Sequence, residues 1–182
     1  VMALKKAGVK TPADLNGKKL GAPVFDAGRR AFPIFSKANN ITGGHWTAMD
    51  PPLRETMLVR GDVDAITGFG FTSILNLEAR GVKAEDIVVM PYPQYGVKLY
   101  GNVIIAGEDF LKKNPEAVKR FLKAFSKGVK DVVADPKAGI ATVKARDGII
   151  NEALELRRLQ LCLDATVLTP DARAEGFGNV LA

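Results

Sequence analysis

Cysteine and histidine are almost missing from this 182-residue chain, which has one of each, Cys162 and His45. A single cysteine excludes an internal disulfide framework. One Cys and one His do not supply the ligands of a structural zinc site. No apolar run reaches the roughly 18 residues of a membrane-spanning helix. No signal peptide is visible at Val1, and there is no run of five like charges, no internal repeat and no low-complexity tract. Lys and Arg number 26 against 20 Asp and Glu, a formal +6 spread as +4 over residues 1–100 and +2 over residues 101–182. A charge this mild and dispersed is not the basic stripe of a nucleic-acid binder, although it leaves a weak preference for anions. The G-x-S-x-G, Cys-His and P-loop signatures are also absent, so nothing announces a nucleophilic hydrolase or a phosphate-cradling loop. What is present is ordinary globular composition, 47% hydrophobic and 25% charged, enough for one substantial core.

The first half is punctuated regularly. Thr11-Pro12-Ala13-Asp14 has a cap, a proline and an acid in the order that starts a helix, and Asn16-Gly17 stops it. Strands are predicted at 18–25, 45–49, 63–67 and 87–90. Helices are predicted at 29–39, from Asp50-Pro51-Pro52 to Gly61, and at 72–80. Strand and helix alternate, which argues for βαβ units around a mostly parallel sheet. Val1 to Lys6 reads as the inside of a helix, so the natural chain is expected to begin earlier. In the second half, Gly101 to Gly107 reads as one buried strand, and only helices follow. The strongest is 115–134, whose Val118, Phe121, Leu122, Phe125, Val129, Val132 and Val133 recur on one face. Asn114, Asp135 and Thr169 each precede a proline and read as caps. One strand with several helices cannot close a core alone, so that strand needs partners in the first sheet or before Val1.

Ligands of open parallel sheets bind at the carboxyl ends of the strands, which directs attention to the loops 26–30, 50–52, 68–71 and 91–98. Asp26-Ala27-Gly28-Arg29-Arg30 opens a helix, where free N–H groups and two guanidinium groups suit a carboxylate, sulfonate or phosphate. The plainer alternative is a capping Asp26 with solvated arginines. Gly68-Phe69-Gly70-Phe71 lets a ligand approach the backbone and offers Phe69 for stacking, with Phe71 assigned to the core. Tyr92, Tyr95 and Tyr100 suit a small-molecule cleft or a half-buried surface. Trp46 reads as core, Asp62 and Asp64 as a turn rather than an acid–base pair, His45 as a surface residue, and Cys162 as inert packing.

In order and spacing these motifs resemble a known family. Residues 11–21 fit the x-P-x-D-L-x-G-K-x-x-G entry to the second lobe of periplasmic substrate-binding proteins of ABC importers. Gly61-Asp62-Val63-Asp64-Ala65 fits the G-x-V-D-A before a ligand-contacting strand end. Phe110, Asn114-Pro115-Glu116-Ala117-Val118, Ala124 and Asp135-Pro136 fit the tail. The chain is similar to the NMT1/THI5-like group, which binds nitrate, sulfonates, taurine or thiamine precursors. The resemblance implies an α/β, two-lobed type II periplasmic-binding-protein fold. Residues 8–98 would form lobe II and 99–182 the C-terminal part of lobe I, whose N-terminal part is missing. It places ligand contacts at Asp26, Ala27, Gly28, Arg29, Thr67, Gly68 and Phe69, to which the cleft reading adds Tyr92. It implies a monomer working in the periplasm, secreted or membrane-anchored. Its partners would be a small-molecule ligand and a membrane permease, without nucleic acid, catalytic residue, metal or cofactor. Where many members carry Ser or Thr in the first loop, this chain has Asp26-Ala27-Gly28, which argues against simple nitrate or sulfonate, while Phe69 and the tyrosines favour a flat organic ligand, with or without an acid group. Three alternatives stand beside this reading. They are an enzyme on the same scaffold (a pyrimidine-precursor synthase or a menaquinone-pathway enzyme), the effector domain of a LysR-type regulator, and an α/β domain without a small ligand.

Overall fold

Met2, Ala3 and Leu4 are buried on both faces of a sheet and form its strand β1 (Met2–Leu4). The computed structural model describes residues 1–99 and 101–176. They fall into two units, Val1–Gly101 and Asn102–Ala182.

The first unit continues with β2 (Lys19–Ala22), α1 (Ala27–Ala38), β3 (His45–Ala48), α2 (Arg54–Arg60), β4 (Ala65–Ile66), α3 (Gly70–Glu78) and β5 (Ile87–Val89). The sheet order is β3-β2-β4-β1-β5. Strand β2 pairs parallel with β3, Lys19 opposite His45 and Ala22 opposite Ala48, and parallel with β4, Gly21 opposite Ile66. Strand β1 runs antiparallel between β4 and β5. The expected alternation is therefore present, with one antiparallel strand inserted into an otherwise parallel sheet.

That insertion corrects the helical reading of Val1 to Lys6. A strand covered on both faces is apolar at every position and loses the two-residue alternation that would reveal it. The alternation is still there in the packing. Met2 and Leu4 join Leu58, Val63, Ile66 and Leu77 on one face, while Ala3 joins Leu15, Leu20, Phe32, Phe35 and Ala65 on the other. Ala65 and Ile66 of β4 split between the same two layers, as a strand's side chains must. Helix α1 covers one layer through Phe32 and Phe35. On the other face, α2 contributes Leu58 and α3 contributes Leu77.

In the second unit, α4 (Glu108–Lys113), α5 (Pro115–Ala134), α6 (Pro136–Arg146), α7 (Glu152–Cys162) and α8 (Pro170–Glu175) follow one another, with a π-helical turn at Leu163–Val167 between the last two. The strand expected at Gly101–Gly107 is not formed. Those residues are irregular, and Val103, Ile104 and Ile105 are exposed. An apolar run becomes a strand only with neighbouring backbone to pair with, and none of the described residues supplies it. The caps at Asp135 and Thr169 hold, their side chains accepting from the N–H groups of Ala138 and Ala172. Asn114 sits at the N-cap by position, but its side chain makes no cap hydrogen bond. Among the described residues no helix is long and apolar enough to cross a membrane.

Candidate functional site

Neighbouring parallel strands deliver their C-terminal residues to the same end of the sheet. Strand β2 stops at Ala22 and the chain turns through Pro23 to Asp26; β4 stops at Ile66 and is followed by Thr67, whose N–H still bonds the Gly21 carbonyl. Asp26 is consequently held against Thr67. Its Oδ1 accepts from the Thr67 hydroxyl at 2.7 Å and from the Arg29 backbone N–H at 2.9 Å. Its Oδ2 accepts from Arg54 Nη2 at 3.1 Å. Both members of this ion pair are mostly buried, with side chains 12% and 15% exposed. Asp26 is thus the α1 N-cap, and its carboxylate engages one of the N–H groups that the sequence offers to an anion.

Two glycines make the arrangement possible. A Cβ on Gly28 would stand 3.0 Å from both Asp26 Oδ1 and Thr67 Cβ, and one on Gly68 would overlap Arg54 Nη1. The Gly28 carbonyl accepts from the Tyr92 hydroxyl at 2.6 Å, and the Tyr92 ring stacks on Phe35 at 4.9 Å. Burial, reinforced by the negative charge of Asp26, raises the Tyr92 hydroxyl above its ordinary value, so it remains a neutral donor. Arg29 turns away: its Nη1 bonds the Ala22 carbonyl at 3.2 Å and its guanidinium lies 4.9 Å from the Trp46 ring centroid. Phe69 is exposed and stacks on half-buried Phe71 at 5.3 Å. The buried Ser73 hydroxyl donates to the buried Glu55 carboxylate at 2.6 Å.

Of the residues singled out in the sequence, Asp26 bonds Thr67 and Gly28 bonds Tyr92, Gly68 adjoins them through Arg54, Phe69 follows Gly68 and stacks on Phe71, and Ala27 and Arg29 open α1 beside them. Trp46 packs against the core through Phe32. Asp62 pairs with Arg60 at the surface, while Asp64 accepts from the Lys19 N–H, so each has a turn or surface partner. His45 begins β3, at the end of the sheet away from Asp26. Tyr95 packs edge-on against Phe35. Tyr100 lies outside the described residues. A hollow of about 220 Å³ lined by Leu20, Phe32, Ile41, Gly43 and Trp46 lies at the start of β3, away from this group. Among the described residues no three His, Cys, Asp or Glu side chains gather as a metal site.

Sequence reading missed Arg54. A signal was available, because a cation in the first turn of a helix opposes the macrodipole and needs a tertiary reason to be there.

Residues 1–139 match the family described as NMT1/THI5 like. Over 146 residues, 75% of this chain, it is 30% identical to the 4-amino-5-hydroxymethyl-2-methylpyrimidine phosphate synthase THI5 of Saccharomyces cerevisiae (strain ATCC 204508 / S288c), covering 43% of that protein. Over 150 residues it is 27% identical to the synthase of the same name from Aspergillus parasiticus, again covering 43% of it. Its fold matches that of a periplasmic sulfonate-binding protein, SsuA, of Methylobacillus flagellatus KT with a TM-score of 0.56 and 21% identity, covering 86% of this chain and 47% of that one. The chain therefore spans less than half the length of these relatives.

Proposed function

Because the chain belongs to the NMT1/THI5-like family, we propose that it is the solute-binding component of an ABC importer. In this reading it is a two-lobed Venus flytrap that works outside the cytoplasm, in the periplasm, secreted or membrane-anchored. It captures a small organic ligand, flat and/or anionic, as a monomer and presents it to a membrane permease. The observation that carries the reading is the group at the carboxyl ends of β2 and β4. There short hydrogen bonds join Asp26 to Thr67 and Gly28 to Tyr92, and the exposed Phe69, stacked on Phe71, follows Thr67 by two residues. Such a site recognises by preformed polar contacts and a stacking face. The ligand drives closure only through its greater affinity for the closed form. The fold shared with a sulfonate-binding protein agrees with this role.

A second reading has its own observation. The curated relatives named above are synthases, so an enzyme on the same scaffold is the competitor. Thermal unfolding of the full-length protein against nitrate, taurine, aromatic carboxylates, aminopyrimidines and flavins separates the two. A bound solute at one hundred times its dissociation constant adds about 2.7 kcal/mol, a plain rise in Tm, and is recovered unchanged. Consumption of a compound would overturn the transport reading in favour of catalysis.

A further inference from the structure

The Asp26 carboxylate has three donors on its two oxygens: the Thr67 hydroxyl, the Arg29 N–H and Arg54 Nη2. It is also 88% buried. Little of its acceptor capacity is left for a ligand. Arg54 is in the opposite condition. Among the described residues, one of its five N–H bonds is engaged, by Asp26. Its Nε is buried and meets no acceptor among the described residues. A buried charged donor without an acceptor is costly, more so than a neutral one, and such a group calls for a physical reason, which an oxyanion brought by a solute would supply. The other cations of this end are committed elsewhere or solvated: Arg29 is bonded to Ala22 and lies over Trp46, and Arg30 is exposed.

Placement agrees with chemistry. Nη1 of Arg54 lies against the backbone of Gly68, in space that any side chain there would fill. The next residue is Phe69, 44% exposed and stacked on Phe71. A cationic fork and an aromatic platform are thus presented by adjoining parts of the chain, and a guanidinium fork matches an oxyanion in two-point geometry.

Resting on the solute-binding reading above, we propose that Arg54 is the specificity-determining residue of this site, that Asp26 is its positioning residue rather than a ligand contact, and that the solute is a flat organic oxyanion. Gly68 serves the same end by leaving room for the guanidinium.

The test uses the full-length protein with benzoate and benzenesulfonate as probes, and benzamide and methyl phenyl sulfone as their neutral counterparts. Affinity is read by calorimetry and the Arg54 Nε–H resonance by ¹⁵N NMR. The expected result is that an anionic probe binds and moves that resonance while its neutral counterpart does not. Arg54→Gln then raises Kd at least about tenfold, the loss of one charged hydrogen bond, and Arg54→Lys recovers part of it. Asp26→Asn is the decisive variant. Removing a negative charge tightens anion binding if Asp26 acts through charge alone, and weakens it if Asp26 holds Arg54 in place; weakening is expected. Gly68→Ala, which displaces the guanidinium without altering charge, weakens binding as well. Circular dichroism melts confirm that each variant is folded. Equal affinity in Arg54→Gln, or tighter binding in Asp26→Asn, overturns the inference and leaves the solute-binding reading standing. So does a neutral solute bound equally by wild type and Arg54→Gln. Failure of both anionic probes overturns the inference too; the wider ligand panel then decides whether the binding reading falls with it.

Discussion

Asp14 collects three donors on one oxygen: the N–H groups of Lys10 and Thr11 and the Thr11 hydroxyl, all within 3.0 Å. These bonds favour the ionised form and hold the carboxyl below its ordinary 3.8. A group with a depressed folded-state value contributes stability above its unfolded value and loses it as the pH falls through the folded one. The Tm gap between the wild type and Asp14→Asn is therefore expected to be complete at neutral pH. It should shrink steadily below about pH 3.8. A gap that persists unchanged into strong acid would show that the bonds do not depend on the charge. This residue was legible because cap, proline and acid stand at fixed spacing within four residues. Arg54 was not, since its partner Asp26 lies 28 positions away and only the sheet brings the two together. The grouping of Asp26 with Thr67 was legible at one remove, through the rule that parallel strands share a C-terminal end.

At the scale of elements, what could be read from the sequence divides according to whether the signal is local. Helix α1 was legible because Phe32 and Phe35 repeat on one face. Strands β2, β3, β4 and β5 were legible because Gly, Pro and Asp mark their ends. Strand β1 was not, because four consecutive apolar residues carry no period. Gly101–Gly107 was misread for the complementary reason: apolar composition signals a strand only when backbone partners exist, and composition cannot supply them. Phe35 tests the importance of α1 directly. It is fully buried and touches the rings of Phe32, Tyr92 and Tyr95. Phe35→Ala removes that packing and leaves a cavity, at an expected cost of about 3–5 kcal/mol. In urea the midpoint should fall while the slope m stays the same. A loss under about 1 kcal/mol, well below the usual range for such a cavity, would mean that α1 is held by something other than this aromatic layer. Because Tyr92 also bonds the Gly28 carbonyl, loosening Phe35 is transmitted to the Asp26 group.

The two units of the molecule bury their apolar side chains very unequally. In the described part of Val1–Gly101, nineteen hydrophobic residues are buried, most of them in two layers on a five-stranded sheet. In the described part of the unit that begins at Asn102, only Ile140 and Leu163 are buried, while Phe110, Leu111, Phe121, Leu122 and Phe125 are exposed. Ordering a residue costs about 1–2 kcal/mol of backbone entropy, and that cost is met chiefly by apolar burial. Helix α5 has the amphipathic pattern of a packed helix, but the second unit has little buried interior among its described residues. Fragments of residues 1–101 and 102–182 are therefore expected to behave differently. The first should melt in one sigmoidal step and exclude the dye ANS. The second should lose helical signal gradually on heating and bind ANS, as a chain with exposed apolar faces and no fixed packing does. A sharp, ANS-free transition in the second fragment would mean that its helices close a core unaided. A broad transition in the first would mean that the sheet and its two layers require the second unit to fold. With the first fragment folded and the second not, the stability of the Asp26–Arg54 group would come from the sheet that places Thr67 beside Asp26, and fragment 1–101 would keep the Arg54 Nε–H resonance where it stands in the whole chain.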